Sequence, residues 1–299
     1  MHPPLWVWLL LLMTTCNSQP LLAQLPFYTD NPQVTDQGTF HFEFFNEFDR
    51  LQSSQYPDIR QNWANFKFNY GLPHRLELDV DYPFLSVYRA PGTQGSSGWG
   101  DFDMGIKWNF RAAAPDSRRL LLAASLYVEA PTGNVHQQLG SGLTDCALNL
   151  IAQKPFSPAT RLNLNLGFLF AGNTSTGAIG IETTRGHVVT GGASLLHDFT
   201  PRLTLGVEVY GGVADNDQLD RRQLQGLIGT EYTIRNGFGL AIAFLGGKYE
   251  ASPRIGGQIG FQVDIPAVFH SPRSRKSLAG DSVTGPLSSP GWLRNDARP

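Results

Sequence analysis

Long apolar runs are missing from this chain. Past Met13 there is no stretch of 18 apolar residues, which excludes a helical membrane protein. Cysteine is nearly missing as well. Of its two cysteines, Cys16 lies in an N-terminal apolar segment, so Cys146 stands alone and no disulfide is expected. No Cys/His cluster has metal-ligand spacing, because His41, His74, His136, His187, His197 and His270 are scattered. Neither a metal nor a cofactor is therefore expected. An excess of one charge is also absent: 23 Lys and Arg against 25 Asp and Glu leave a formal charge of -2. That gives no electrostatic case for nucleic acid as a partner. The one basic cluster, Arg273, Arg275 and Lys276, sits in a Ser/Pro-rich stretch and reads as a solvated tail.

What the chain does have is glycine, 32 residues of it, and strict alternation. In Arg161 to Phe170 (RLNLNLGFLF), Leu162, Leu164, Leu166, Phe168 and Phe170 fall on one parity, with Arg161, Asn163, Asn165 and Gly167 on the other. Successive strand side chains point to opposite faces, so this decapeptide has one apolar and one polar face. About ten residues is also the length of a tilted strand that crosses a bilayer. The pattern recurs at Thr39–Phe48, Asn62–Gly71, Arg75–Phe84, Gly100–Phe110, Leu120–Ala130, Thr144–Gln153, Leu203–Tyr210, Gln223–Tyr232 and Arg254–Ile265. Gly186–His197 is ambiguous in its faces, and Phe238–Leu245 is apolar on both.

Connections alternate between short (72–74, 111–117, 155–159, 198–201, 234–237) and long, Gly/Ser/Thr/Asn-containing ones (49–61, 85–99, 131–143, 171–185, 211–222). Outer-membrane barrels connect their strands in this way, with short periplasmic turns and long outer loops. A soluble sandwich has no reason to make every second loop long. The expected fold is therefore all-β, a transmembrane antiparallel up-and-down β-barrel of about 12 strands. Aromatics near strand ends (Phe40, Tyr70, Tyr82, Trp108, Phe110, Tyr210, Tyr232) are expected to form interfacial girdles.

Residues 1–23 are expected to be a secretory signal peptide, with an apolar core at Leu5–Met13 and cleavage after Ala23. Its basic charge is thin, with only His2, and Leu21 is large for position -3. A lipidated Cys16 is disfavoured by Thr15 before it. Residues 24–38 read as an N-terminal linker, 39–269 as the barrel, and 270–299 as a disordered polar tail. The expected partners are outer-membrane lipid, small-molecule solutes, and the barrel-assembly and periplasmic chaperone machinery.

Several stretches resemble the bacterial outer-membrane transporter family labelled "MetA-pathway of phenol degradation". They are PFYTDNPQVTDQGTFHFEF before and into the first strand, YGLPHRLELDVDYPF, GWGDFDMGIKWNF, YVEAPTGN, LGSGLTDCALNLIAQKPF and TPRLTLGVEVYG. The likeness runs from Pro26 to about Ile265 and lies in their order and spacing. The resemblance implies uptake of aromatic or other small hydrophobic compounds, and with no plug domain or box for an energising partner legible, passage is expected to be passive.

If the polar parity lines a wet interior, carboxylates outnumber cations there. Glu43, Glu77, Asp79, Asp81, Asp101, Asp103, Glu129, Asp145, Glu208, Glu231 and Asp264 stand against Lys67, Lys107, Arg161 and Arg254. Such a lumen favours cations or neutral solutes over anions. The candidate translocation path is Lys67, Asp101, Asp103, Lys107, Glu129, Arg161, Glu208 and Arg254, with Asp101 and Lys107 on one face of a single strand. The plain alternative is that these cations pair with carboxylates only to hold the barrel's shape. Two further classes compete: a non-transporting structural or adhesin barrel, and a lipid-acting outer-membrane hydrolase. The hydrolase would need His187 or His197 with Ser194, or His187 with Ser125 if their strands lie close, but Ser194 and His197 are three apart and so on opposite faces. No catalytic residue is expected.

Overall fold

In the computed structural model, the described residues are 25–52, 60–89, 94–113, 117–171, 186–215, 222–249 and 252–266. The expected signal peptide and polar tail lie outside them. The strands are β1 (Thr39–Arg50), β2 (Arg60–Leu72), β3 (Leu76–Tyr88), β4 (Ser96–Trp99), β5 (Phe102–Arg111), β6 (Leu121–Ala130) and β7 (Asp145–Pro155). They continue as β8 (Thr160–Ala171), β9 (Gly186–Thr200), β10 (Leu203–Ala214), β11 (Arg222–Arg235), β12 (Phe238–Gly247) and β13 (Ile255–Pro266). β4 and β5 both pair with β3 and not with each other; every other strand pairs antiparallel with its sequence neighbours, and β1 pairs with β13 from Thr39↔Pro266 to Arg50↔Ile255, which closes the ring. The short β4 and β5 together occupy one place beside β3, so the closed barrel has 12 strands.

Closure leaves no unpaired edge, and alternation then decides what each face meets. The apolar parity points outward: Leu166 is 58 % exposed, Phe244 68 % and Ile228 62 %. The polar parity points inward, and Glu43, Glu77, Asp79, Lys107, Asn163, Glu208 and Gln262 are all buried. This inversion of the usual rule is what a lipid-facing wall around a polar interior requires. The stretch that is apolar on both faces, β12, resolves by size: Leu240, Ile242 and Phe244 face out, while Ala241, Ala243 and Leu245 are buried within.

Aromatic side chains meet on the outer wall, between neighbouring strands and, for Trp108 and Phe110, along β5. Phe40 lies 4.5 Å from Tyr70, Trp108 5.6 Å from Phe110, and Tyr82 stacks on Trp99 at 4.6 Å and 11°. One residue expected in the girdles departs from it. Tyr210 pairs across the sheet with Gly192, on the inward parity of Glu208, and its ring lies 5.9 Å from that of Tyr28 inside the barrel. The sequence placed it by its position near a strand end, but parity, not depth, sets the face.

Candidate functional site: the filled lumen

Cross-strand register gathers the inward charges into rows. One row runs Glu43, Lys67, Asp81, Asp103, Glu129, Asp145 through adjacent strands β1, β2, β3, β5, β6 and β7, each residue directly opposite the next. A second runs Asp264, His41, Asn69, Asp79. Both ring nitrogens of His41 meet carboxylates, Asp264 at 2.6 Å and Glu43 at 3.0 Å. The Asn65 amide donates to Asp81 at 3.0 Å, and the Tyr127 hydroxyl donates to Asp79 at 2.7 Å.

The stretch expected to be a linker is packed inside this lumen. From the base of β1 it runs back into the barrel, held at its start by the bridge Gln37↔Gly71. The Thr35 N–H donates to Glu77 at 2.5 Å, and the Asn109 amide donates to the Pro32 carbonyl at 2.7 Å. Lys107 Nζ lies 2.8 Å from Glu77 and 3.4 Å from Asp30. The Asn165 amide donates to the Asp30 carbonyl at 3.0 Å and accepts from its N–H at 2.8 Å. Glu208 accepts from the N–H groups of Tyr28 (3.1 Å) and Thr29 (2.6 Å), while the Tyr28 hydroxyl donates to Glu47 at 2.5 Å. Extended backbone cannot satisfy itself, so inward carboxylates and amides supply the partners a sheet neighbour would otherwise give.

Glycines make room for this strap. A Cβ on Gly229 would lie 2.4 Å from Pro26, on Gly206 2.5 Å from Phe27, and on Gly192 2.7 Å from Thr29. The inward glycines of β9, β10 and β11 thus form a trough that its side chains fill.

The opposite end is narrowed by residues 131–143. Asp101, just before β5, accepts from the N–H groups of Gly133 and Ser141, each at 2.8 Å. The Thr132 hydroxyl donates to the Gly100 carbonyl at 3.0 Å, and Leu139 is driven inside with 2 % exposure. A Cβ on Gly140 would meet the Asp101 carboxylate at 2.4 Å.

Among the described residues, cavities remain beside both segments. The one below residues 131–143, about 310 Å³, is lined by Trp63, Asp81, Asp101, Asp103, Tyr127, Glu129, Leu139 and Asp145 among others. The one beside the strap, about 260 Å³, is lined by Leu25, Phe27, Tyr28, Asp30, Glu43 and Lys67 among others. Asp81, Tyr127, Asn149, Thr190 and Tyr210 line both and form the waist between them.

The sequence-derived path residues therefore divide. Asp103 and Glu129 face the first cavity, and Lys67 the second. Asp101 also reaches the first cavity, but its oxygens are committed to residues 131–143. Lys107 and Glu208 hold the strap. Arg161 pairs with Asp198 at 2.8 Å near the end of the barrel that carries the short turns. Arg254 precedes β13 at the other rim, exposed, with its N–H donating to the Arg50 carbonyl at 2.8 Å. Tyr28, Asp30, Trp63, Tyr127 and Tyr210 are lumen residues that the sequence reading did not select. Only the parity of Trp63, Tyr127 and Tyr210 signalled them. The serine and histidine candidates do not meet. Ser194 is buried beside Asn163 (3.2 Å), whereas His197 contacts Thr160 (2.8 Å) on the outward parity. His187 pairs with Asp215 at 2.9 Å and lies against Phe168 and Phe170 on the outer face, whereas Ser125 is buried inside.

No family model matches the chain, and no curated protein does. Among solved structures, it resembles the NanC porin at a TM-score of 0.52 and 6% identity, covering 74% of this chain and 98% of that one. It resembles the KdgM porin at 0.50 and 9% identity, covering 75% and 98%. At such identities the likeness is one of fold, a closed barrel of the outer-membrane type.

Proposed function

We propose that this protein is an outer-membrane channel for small molecules that favours cations and neutral solutes over anions. One observation carries the reading. Asp81, Asp103, Glu129 and Asp145 face one another directly across adjacent strands and line a single cavity. Like charges directly opposite destabilise a sheet, so a row of four carboxylates has a cost that shape alone does not repay. A ring of carboxylates in a pore is a means of attracting cations. Lys67 offsets the row at its Asp81 end and leaves the Glu129 end acidic. Trp63, Tyr127 and Tyr210 present flat apolar surface beside those charges, which suits small aromatic solutes of the kind the phenol-degradation resemblance implies.

The test is single-channel recording of the refolded barrel under a KCl gradient, with the double variant Asp103→Asn/Glu129→Gln beside it. The expected result is conductance with a cation-selective reversal potential that moves toward zero in the variant. A folded, heat-modifiable barrel that never conducts would overturn the reading, as would a reversal potential indifferent to the two carboxylates.

A further inference from the structure

At the rim where β1 ends and β2 begins, the outer wall has a depression of about 790 Å³ where glycines leave side chains missing. Gly226 and Gly246 are direct cross-strand partners, and Gly257 pairs with both Phe244 and Phe48; all three fall on the outward parity. A Cβ on Gly226 would have no atom nearer than 3.7 Å, and on Gly257 none nearer than 3.8 Å, so the floor is open there, while Gly246 is tighter, its Cβ position 3.2 Å from the Arg254 carbonyl. Phe48, Ile228, Phe244 and Ile255 form apolar sides, all strongly exposed. The volume lies within the range of roughly 300–1,000 Å³ usual for small-ligand sites.

The upper edge of the groove is cationic. Arg50 and Arg60 line it and stand directly opposite each other across β1 and β2. Like charges so placed destabilise a sheet. Among the described residues neither forms a salt bridge, and exposed Arg254 is tied to the Arg50 backbone at the same rim. An apolar trough edged by two guanidinium groups that no described carboxylate neutralises matches one ligand chemistry, an acylated lipid whose phosphate charge is not balanced by a cation of its own.

We propose that this groove is a binding site for a phosphorylated glycolipid of the outer leaflet, one acyl chain lying on the glycine floor and a phosphate held by Arg50 and Arg60. The proposal rests on the outer-membrane reading above. The side is set by the loops: Arg50 and Arg60 stand at the end opposite the short turns, which outer-membrane barrels direct outward.

The test is native mass spectrometry of the full chain in detergent, titrated with purified lipopolysaccharide, the same lipid dephosphorylated, and phosphatidylethanolamine. Lipopolysaccharide is expected to bind at least tenfold more tightly than either comparison lipid. Arg50→Ala/Arg60→Ala should erase that preference, and Gly226→Leu/Gly257→Leu should weaken binding by filling the trough. Equal binding of all three lipids, or undiminished lipopolysaccharide binding by a folded arginine double variant, overturns the proposal. If the glycine variant fails to fold, the arginine variant decides alone. Channel recordings on the same preparations separate the two readings. Selective lipid binding without conductance would sink the channel and keep the groove, and conductance without selectivity the reverse.

Discussion

Lys107 does more than balance one charge. With 1 % of its side chain exposed, it joins Glu77 of the barrel wall to Asp30 of the strap. Lys107→Ala would leave Glu77, itself 2 % exposed, as an uncompensated buried charge. The expected loss is about 3–5 kcal/mol, read from urea titrations of the heat-modifiable band in lipid vesicles. Replacing both partners, as Lys107→Met/Glu77→Leu, should recover much of that loss, because a buried pair exchanged whole for apolar groups is often neutral. Asp101 is a different kind of residue. Its carboxylate is consumed by the N–H groups of Gly133 and Ser141, so Asp101→Ala should free residues 131–143. Limited proteolysis should then cut that segment in Asp101→Ala and spare it in Asp103→Asn, whose side chain has no such tie.

Among the elements, the strap was the least legible in the sequence. PFYTDNPQVTDQG has neither period 2 nor period 3.6, so nothing in its pattern assigns it a face. Its anchors are side chains far along the chain, Glu77, Lys107, Asn165 and Glu208, which sequence reading places inside without saying what they hold. β8 and β13 were legible to within a residue at each end, because each buries one parity and offers the other to lipid, whereas β3 and β10 run four residues past the ends expected at Phe84 and Tyr210. β4 was not legible, since Ser96–Trp99 falls in the stretch 85–99 that reads as a connection, nor was the break after it, where Trp99 faces out and Asp101, two residues on, faces in. The strap also narrows the passage, and its anchors can be loosened without deleting it. Asp30→Asn with Glu208→Gln removes the charge from the Lys107 contact and from both Thr29 and Tyr28 bonds. Single-channel records should then show longer open times or larger steps than the unaltered chain. Unchanged records would mean that the passage is limited elsewhere, at the waist or beneath Leu139.

For the whole molecule, stability is set by which side of a one-residue-thick wall a group occupies. Leu166, in the middle of β8, is 58 % exposed on the outer face, while Asn165 beside it touches the strap inside. Leu166→Arg should therefore cost about 2–4 kcal/mol in vesicle folding titrations, the penalty for a cation on the lipid face near the bilayer midplane. The same logic explains why the sequence revealed the barrel but not its contents. Parity separates lipid from lumen without naming what fills the lumen, and it sent Tyr210 inward despite its place near a strand's end.

The strap has a consequence for the order of assembly. It is attached to the first strand, yet its backbone bonds to Glu208 on β10, and the pocket for Pro26 is shaped by Gly229 on β11. Those partners do not exist as a surface until the second half of the chain has been laid into the sheet, and contacts so distant along the chain form late. A barrel that closed before the strap docked would hold hydrated inward carboxylates, and docking of its own leading segment would then displace that water.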